Sequence, residues 1–379
     1  MAFDLWTTAE LFELQADRRI LAPTGFWSGV DGGGGIGGSP AVGAPAAQNG
    51  ASQFPQLGAF TREFYSDKEK IYFDELPLPD KRLAPFVAPN VQGRIMGDRG
   101  RNMSSFKPAY VKPKHEIDPQ KVSARLAGER FMGELTLAQR WDIAVANNLR
   151  DERDMIFRRW DWMACRALVD GAVTIAGENY PAVTVDFKRD ASLGYVLAGQ
   201  YTWDQNTSDP FLDIRVGRRN AFGLGRSPVS KLIFGVDAWD MFQAHPKVKD
   251  ALDNRNNGNA SLFNNINIGS DTPAEYVGRI AGKTGGAIDM WVYSNQYEDS
   301  DGSMKEYLDP KTVVGIGNNV QGVRAFGAIK DKRARLAPVP MFPKTWDEED
   351  PSISYTMTQS APLMVPGVPN NTFKIKVAA

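Results

Sequence analysis

Several short stretches of this chain carry residue types that could do chemistry. GVDGGGGIGGSP, Gly29 to Pro40, contains Gly32, Gly34 and Gly37 in the G-x-G-x-x-G spacing of dinucleotide-binding loops. That chemistry needs a strand before the glycines and a helix after them, so that the phosphate meets a helix N-terminus. Here PTGFWS precedes, and Pro40, Gly43 and Pro45 follow, so the stretch reads as an extended arm. AGKTGG resembles the end of a P-loop, but Val277 stands where the first glycine belongs. It reads as a turn before the AIDMWVY strand. VVGIGNNVQG has Val320 at the third glycine position and reads as a strand running into a turn. DNRNNG, Asp253 to Gly258, places Arg255 at a calcium-ligand position and Asn264 where the bidentate Glu belongs. DEED, Asp347 to Asp350, reads as a solvated acidic loop. The two histidines, His115 and His245, lie in separate segments without zinc spacing, and no G-x-S-x-G elbow occurs. Cys165 is the single cysteine and falls inside a helical pattern, where a buried, inert thiol is expected. No catalytic set, cofactor site or metal site emerges, and the chain is expected not to be an enzyme.

The elements that must position these residues are clearer than the residues themselves. Thr136 and Gln139 have capping-box spacing. After them Leu137, Trp141, Val145, Leu149, Ile156, Trp160, Met163 and Ala167 recur at three, four and seven. This is one stripe of a long helix, interrupted only near the charged Asp151–Asp154 stretch. Gly171 can end it, at a length of roughly 45 Å. Thr7 and Glu10 cap a shorter amphipathic helix through Leu11, Leu14 and Ile20. KIYFDEL reads as a strand and AVTIAGENYPAVTVDF as a hairpin. DPFLDIRVGRRNAFG reads as a helix, KLIFG as a buried strand, and VDAWDMFQAHPKVKDALD as one or two short helices. AIDMWVYSNQY, TVVGIG and NTFKIKV complete the strands. Around a polar turn, GDRGRN, the segments VQGRIM and SSFKPAYVKPKHEI form a long hairpin. Pro108 and Pro113 restrict its ladder, so it should project and lie against another surface. Mixed helices and strands indicate an α+β fold.

The totals narrow the function. The chain has 379 residues, 42% hydrophobic and 23% charged, enough for a packed core in two or three domains. The net charge of -1 argues against tight nucleic-acid binding, which rests on many phosphate contacts by Lys and Arg. The start lacks a basic segment followed by an apolar run, and no stretch of eighteen apolar residues exists. No signal peptide or membrane span is therefore expected, and a soluble chain made in a cytoplasm is. The long helix, projecting hairpin and extended ends suit a molecule that interlocks with copies of itself.

Four segments then carry a resemblance: RLAPFVAPNVQGR (Arg82 to Arg94), FKPAYVKPKHEIDPQ (Phe106 to Gln120), VVGIGNNVQGVRAFGAI (Val313 to Ile329) and PKTWDEEDPSISYTMTQSAPLM (Pro343 to Met364). In order and spacing they resemble the major capsid proteins of the phage lambda type. The resemblance implies the Hong Kong 97 phage capsid fold and a role as major head protein of a tailed double-stranded DNA phage. It implies self-assembly into pentamers and hexamers of an icosahedral shell, in the virion, after assembly in the host cytoplasm.

On this reading residues 1–80 are an N-terminal arm, with a Gly/Ala-rich insert at 22–59 that the family does not explain. Residues 81–120 are the extended loop, with the Phe86–Pro119 hairpin lying over a neighbouring subunit. Residues 121–207 are a peripheral domain with the spine helix, 208–340 an axial domain, and 341–379 a C-terminal return segment that could run along either. Partners implied are the chain itself, packaged DNA through weak non-specific contact, a portal, a scaffold and a decoration protein, with no membrane. Some shells of this fold crosslink Lys to Asn; the lambda-type resemblance points to decoration instead. The insert is expected to thread along a neighbour.

Charge suggests where copies touch. Arg94, Arg99, Arg101, Lys107, Lys112 and Lys114 stand against Asp98 and Glu116, a net of +4 across the hairpin. The acidic counterparts are Asp151, Glu152 and Asp154 on the helix, and Asp347, Glu348, Glu349 and Asp350 near the C-terminus. The alternative reading is a protein that condenses DNA without forming a shell; a nucleotide-dependent enzyme would rest on the glycine stretches alone.

Overall fold

The computed structural model describes residues 58–68, 70–74, 92, 103–123, 135–177, 180–250, 273–281, 287–299, 301–350 and 352–378. The N-terminal helix, the glycine-rich insert, the GDRGRN tip, DNRNNG and most of AGKTGG lie outside these residues. The chain divides into two compact units. One comprises Met1–Ile71, Lys107–Cys165 and Val323–Met364, the other Tyr72–Phe106, Arg166–Gly322 and Val365–Ala379.

In the first unit the Leu137–Val169 helix begins with the expected capping box. The Thr136 N–H donates to Gln139 Oε1 at 2.9 Å, and the Gln139 N–H donates to Thr136 Oγ1 at 3.2 Å. Two otherwise orphaned donors are satisfied reciprocally. The helix is continuous through Asp151–Asp154. Its stripe is buried from Val145 through Leu149, Ile156, Trp160 and Met163, whereas Leu137, in the first turn, is 59% exposed. Trp160 packs edge-on against Phe157 at 5.3 Å and tilts against Phe326 at 5.0 Å. Phe326 belongs to a three-stranded sheet of Phe60–Ser66, Gly322–Gly327 and Pro362–Val365. Gly327 has no room for a Cβ, because the Pro108 ring would lie 2.5 Å from it.

A second three-stranded sheet of this unit is antiparallel: Phe342–Glu348, then Ile353–Gln359, then Lys114–Ile117. Asp331 ties the loop before it. It accepts from Lys344 Nζ at 2.6 Å, Arg333 N at 2.8 Å and Gln359 Nε2 at 2.9 Å. Partial burial opposes the charge, but these donors prevail and hold the carboxyl at about 2.

The second unit is built on a six-stranded sheet. Its order is Gly194–Val196, Thr372–Lys376, Thr312–Gly317, Val229–Phe234, Ala287–Tyr293 and Ala274–Ala281. The last two pair antiparallel, so AGKTGG falls in their connection. Thr312–Gly317 is buried along its whole length, as a central strand covered on both faces must be. DPFLDIRVGRRNAFG forms the Pro210–Gly225 helix, with Asp209 accepting from the Leu212 N–H at 3.1 Å and Pro210 at the first position. The Val236–Ala244 helix sets Trp239 and Phe242 against Phe234, with ring centroids 5.3 Å apart in both pairs. The hairpin of Ala172–Gly177 and Tyr180–Asp186 follows Gly171, whose φ of +70° turns the chain out of the long helix. The C-terminal segment supplies strands to both units, ending in Thr372–Lys376.

Candidate inter-subunit surface

Seven residues were expected along the hairpin edge, six basic and one acidic. Arg94, Arg99 and Arg101 lie outside the described residues. Lys107, Lys112, Lys114 and Glu116 sit on the described segment 107–117, expected as the returning arm of the hairpin, and that arm is not loose. Tyr110 anchors it, donating its hydroxyl to the Ala328 carbonyl at 2.5 Å and accepting from the Lys330 N–H at 3.1 Å. Val111 then exchanges two backbone hydrogen bonds with Ser360, at 2.9 and 3.0 Å. Pro113 has no N–H to give, and its carbonyl instead accepts from Thr358 N at 3.3 Å. Past it, Lys114–Ile117 joins the sheet, pairing Thr356 with His115 and Tyr355 with Glu116.

Strand alternation sorts these residues onto two faces. Lys114 and Glu116 are exposed, whereas Ile117 is buried and His115 half-buried. Lys114 Nζ lies 3.4 Å from the centroid of the Tyr355 ring and 5.2 Å from that of Trp346. Those rings stack on each other at 5.5 Å, and Lys344 Nζ lies 5.2 Å from Trp346 on the same face. Two cations therefore sit over adjacent aromatic faces, each contact worth ~0.5–1 kcal/mol where exposed. Lys112 is exposed with its Nζ 5.0 Å from the Tyr110 ring, and Lys107 is exposed beside Pro108.

The acidic residues divide differently from expectation. Asp347, Glu348, Glu349 and Asp350 are all exposed, where Phe342–Glu348 turns into Ile353–Gln359. Asp347 accepts from the Ser354 hydroxyl. Asp151 is exposed. Asp154 is largely buried and pairs with Arg153 at 3.1 Å. Burial pushes its carboxyl above the usual range, against the pull of Arg153 and Arg158.

Glu152 corrects the sequence reading. It is no surface acid: it is fully buried, 0% exposed. Thr356 Oγ1 donates to its Oε1 and Thr358 Oγ1 to its Oε2, each at 2.7 Å. His115 Nδ1 lies 3.3 Å from Oε1. Burial raises the carboxyl above its ordinary range, and the two hydroxyls and the imidazole pull the other way. One sign of this stood in the sequence. Glu152 lies three residues after Leu149 and four before Ile156, on the apolar stripe itself. Thr356 and Thr358 share one strand face by the same simple alternation. What was missing was the knowledge that these faces meet.

Residues 66–377 match the family model described as Phage major capsid protein E. The chain is 32% identical over 332 residues to the major capsid proteins of Escherichia phage N15 and Escherichia phage lambda, covering 85% of this chain and 93% of each relative. A crystal structure described as the putative capsid protein of a prophage of E. coli CFT073 is similar with a TM-score of 0.59 at 27% identity. It covers 73% of this chain and 80% of that one. The α+β architecture is thus the Hong Kong 97 phage capsid fold, and the chain belongs to the family of phage major capsid proteins, which build the shell of the virion.

Proposed function

We propose that this chain assembles with copies of itself as pentamers and hexamers of an icosahedral shell around double-stranded DNA. The long helix and its three-stranded sheet serve as the peripheral domain, and the six-stranded sheet as the axial domain around five- and six-fold axes. A portal and a scaffold complete assembly, and a decoration protein reinforces the shell. The hairpin of residues 86–119 lies over a neighbouring copy, with its basic edge against that copy's exposed acidic turn, Asp347–Asp350.

The observation that carries this reading is the seating of the returning arm. From Tyr110 to Ile117 it is fixed by backbone and side-chain hydrogen bonds. A fixed stem aims whatever lies beyond it. With Glu152 buried, the turn Asp347–Asp350 is the larger exposed acidic group among the candidates, beside Asp151 alone on the helix. Each exposed ion pair contributes only ~0.2–1 kcal/mol, so the effect works through repetition over the shell.

Electron microscopy of the expressed chain tests assembly, with closed shells or capsomers expected. Arg99→Glu with Arg101→Glu should leave capsomers that do not close. Asp347→Lys with Asp350→Lys in the same chain should restore part of the shell yield. Normal closure by the doubly reversed hairpin alone would sink the docking scheme. On a denaturing gel of purified particles a single band is expected, where covalent crosslinks would give ladders.

A further inference from the structure

The enclosed Glu152 has no part in contacts made at the surface, yet three elements converge on it. It sits on the long helix. Thr356 and Thr358 reach it from the middle strand of the sheet, and His115 from the returning arm of the hairpin. The glutamate side chain is 0% exposed and the histidine side chain 31%, so the imidazole connects the carboxyl to solvent. We propose that the Glu152 carboxyl and the His115 imidazole form a proton-dependent clamp that seats the Lys114–Ile117 strand, and with it the stem of the hairpin, on the long helix. The clamp acts within one chain and does not depend on how the hairpin meets a neighbour.

The charged surroundings are simple. On the sheet face that carries Thr356 and Thr358, the neighbouring strand contributes Thr345, which is neutral, and Asp347, which is exposed at the far end. Lys114 and Glu116 point to the opposite face. On the helix, Asp151 is exposed, and Arg153 and Asp154 pair with each other. Beside the two threonine hydroxyls, the His115 imidazole is the group that pulls on the carboxyl.

The direction of the effect follows. Burial raises the proton affinity of Glu152 in the seated strand above that of an open one, where the ordinary value is 4.5. A carboxyl raised in this way stabilises the seat fully below its open-state value. That stabilisation is lost as pH rises through the raised value. Protonation tightens the clamp; deprotonation loosens it.

Hydrogen exchange on the full chain in its assembled form tests this, corrected for the intrinsic effect of pH on exchange. The opening constant of peptides covering 114–117 and 353–359 should rise with pH above 4.5, by up to about tenfold per pH unit for a single proton. Peptides from the six-stranded sheet should show no such rise. E152Q, which keeps the size and the one-acceptor, one-donor pattern of the neutral acid but cannot titrate, should make the profile flat. A flat profile in the native chain, or an unchanged slope in E152Q, overturns the clamp. Should E152Q fail to fold, H115Q gives a second reading. It removes the imidazole that pulls the Glu152 carboxyl down, so the midpoint should move to higher pH; an unmoved midpoint also overturns the proposal.

Discussion

Replacing Thr356 and Thr358 together by valine should destabilise the first unit by about 3–5 kcal/mol at pH 8. Each hydroxyl donates at 2.7 Å to a carboxyl that has no access to water. A hydrogen bond to a charged group contributes about 1.5–3 kcal/mol, and a buried charge stripped of partners costs more than the bond itself is worth. Valine matches threonine in shape, so lost packing is not the cause. The loss should be smaller at a lower pH, because burial raises the Glu152 carboxyl and protonation makes it neutral, so its desolvation is far cheaper. Serine at both positions keeps the donors and should cost much less. Denaturant midpoints of the three chains at the two pH values check this. A valine chain within 1 kcal/mol of the parent at pH 8 would show that the carboxyl is served in some other way.

Gly315→Val should be comparably damaging to the second unit, by about 3 kcal/mol or more. Valine is ordinarily favoured over glycine in strands. Here Gly315 lies directly across from Phe373 in the ladder, and a Cβ would collide with that ring. Phe373 is fully buried, and its ring also lies 2.7 Å from where a Cβ of Gly217 would be. Two glycines, one on the strand and one on the Pro210–Gly225 helix, thus make room for one aromatic ring. The steric reading predicts strong coupling. Gly315→Ala and Phe373→Leu should each destabilise, and the double variant should be at least 1 kcal/mol more stable than the sum implies. Additive effects in thermal unfolding would refute the collision as the cause.

The strand that holds Gly315 also shows why local pattern misleads. Gly315 and Gly317 belong to VVGIGNNVQG, which has part of a nucleotide-loop spacing. Their spacing answers to packing: a Cβ on Gly317 would meet the Asn371 amide, and one on Gly315 the Phe373 ring. Both clashing residues come from the final strand region, more than fifty positions away. Hydrophobic period, capping pairs and proline placement act between residues a few positions apart. The long helix, its capping box, its end at Gly171 and four strands of the six-stranded sheet were therefore legible from the order of residues alone; Gly194–Val196 and Ala274–Ala281 were not. So was the family, because long ordered motifs survive as sequence.

Burial of charge was legible only in the place of Glu152 on the apolar stripe, which named no partner for it. Asp151–Asp154 reads as one acidic stretch, yet a helix turns about 100° per residue, so its members face different surroundings. Asp151 meets solvent, Asp154 pairs with Arg153, and Glu152 enters the sheet. Its partners lie 37, 204 and 206 residues away. The C-terminal segment was equally open, since either unit could have taken its strands, and both did. Short-range periodicity set which elements form. What each dry face meets, and whether a given carboxylate titrates at a surface or within a clamp, depended on long-range pairing that no spacing in the chain encodes.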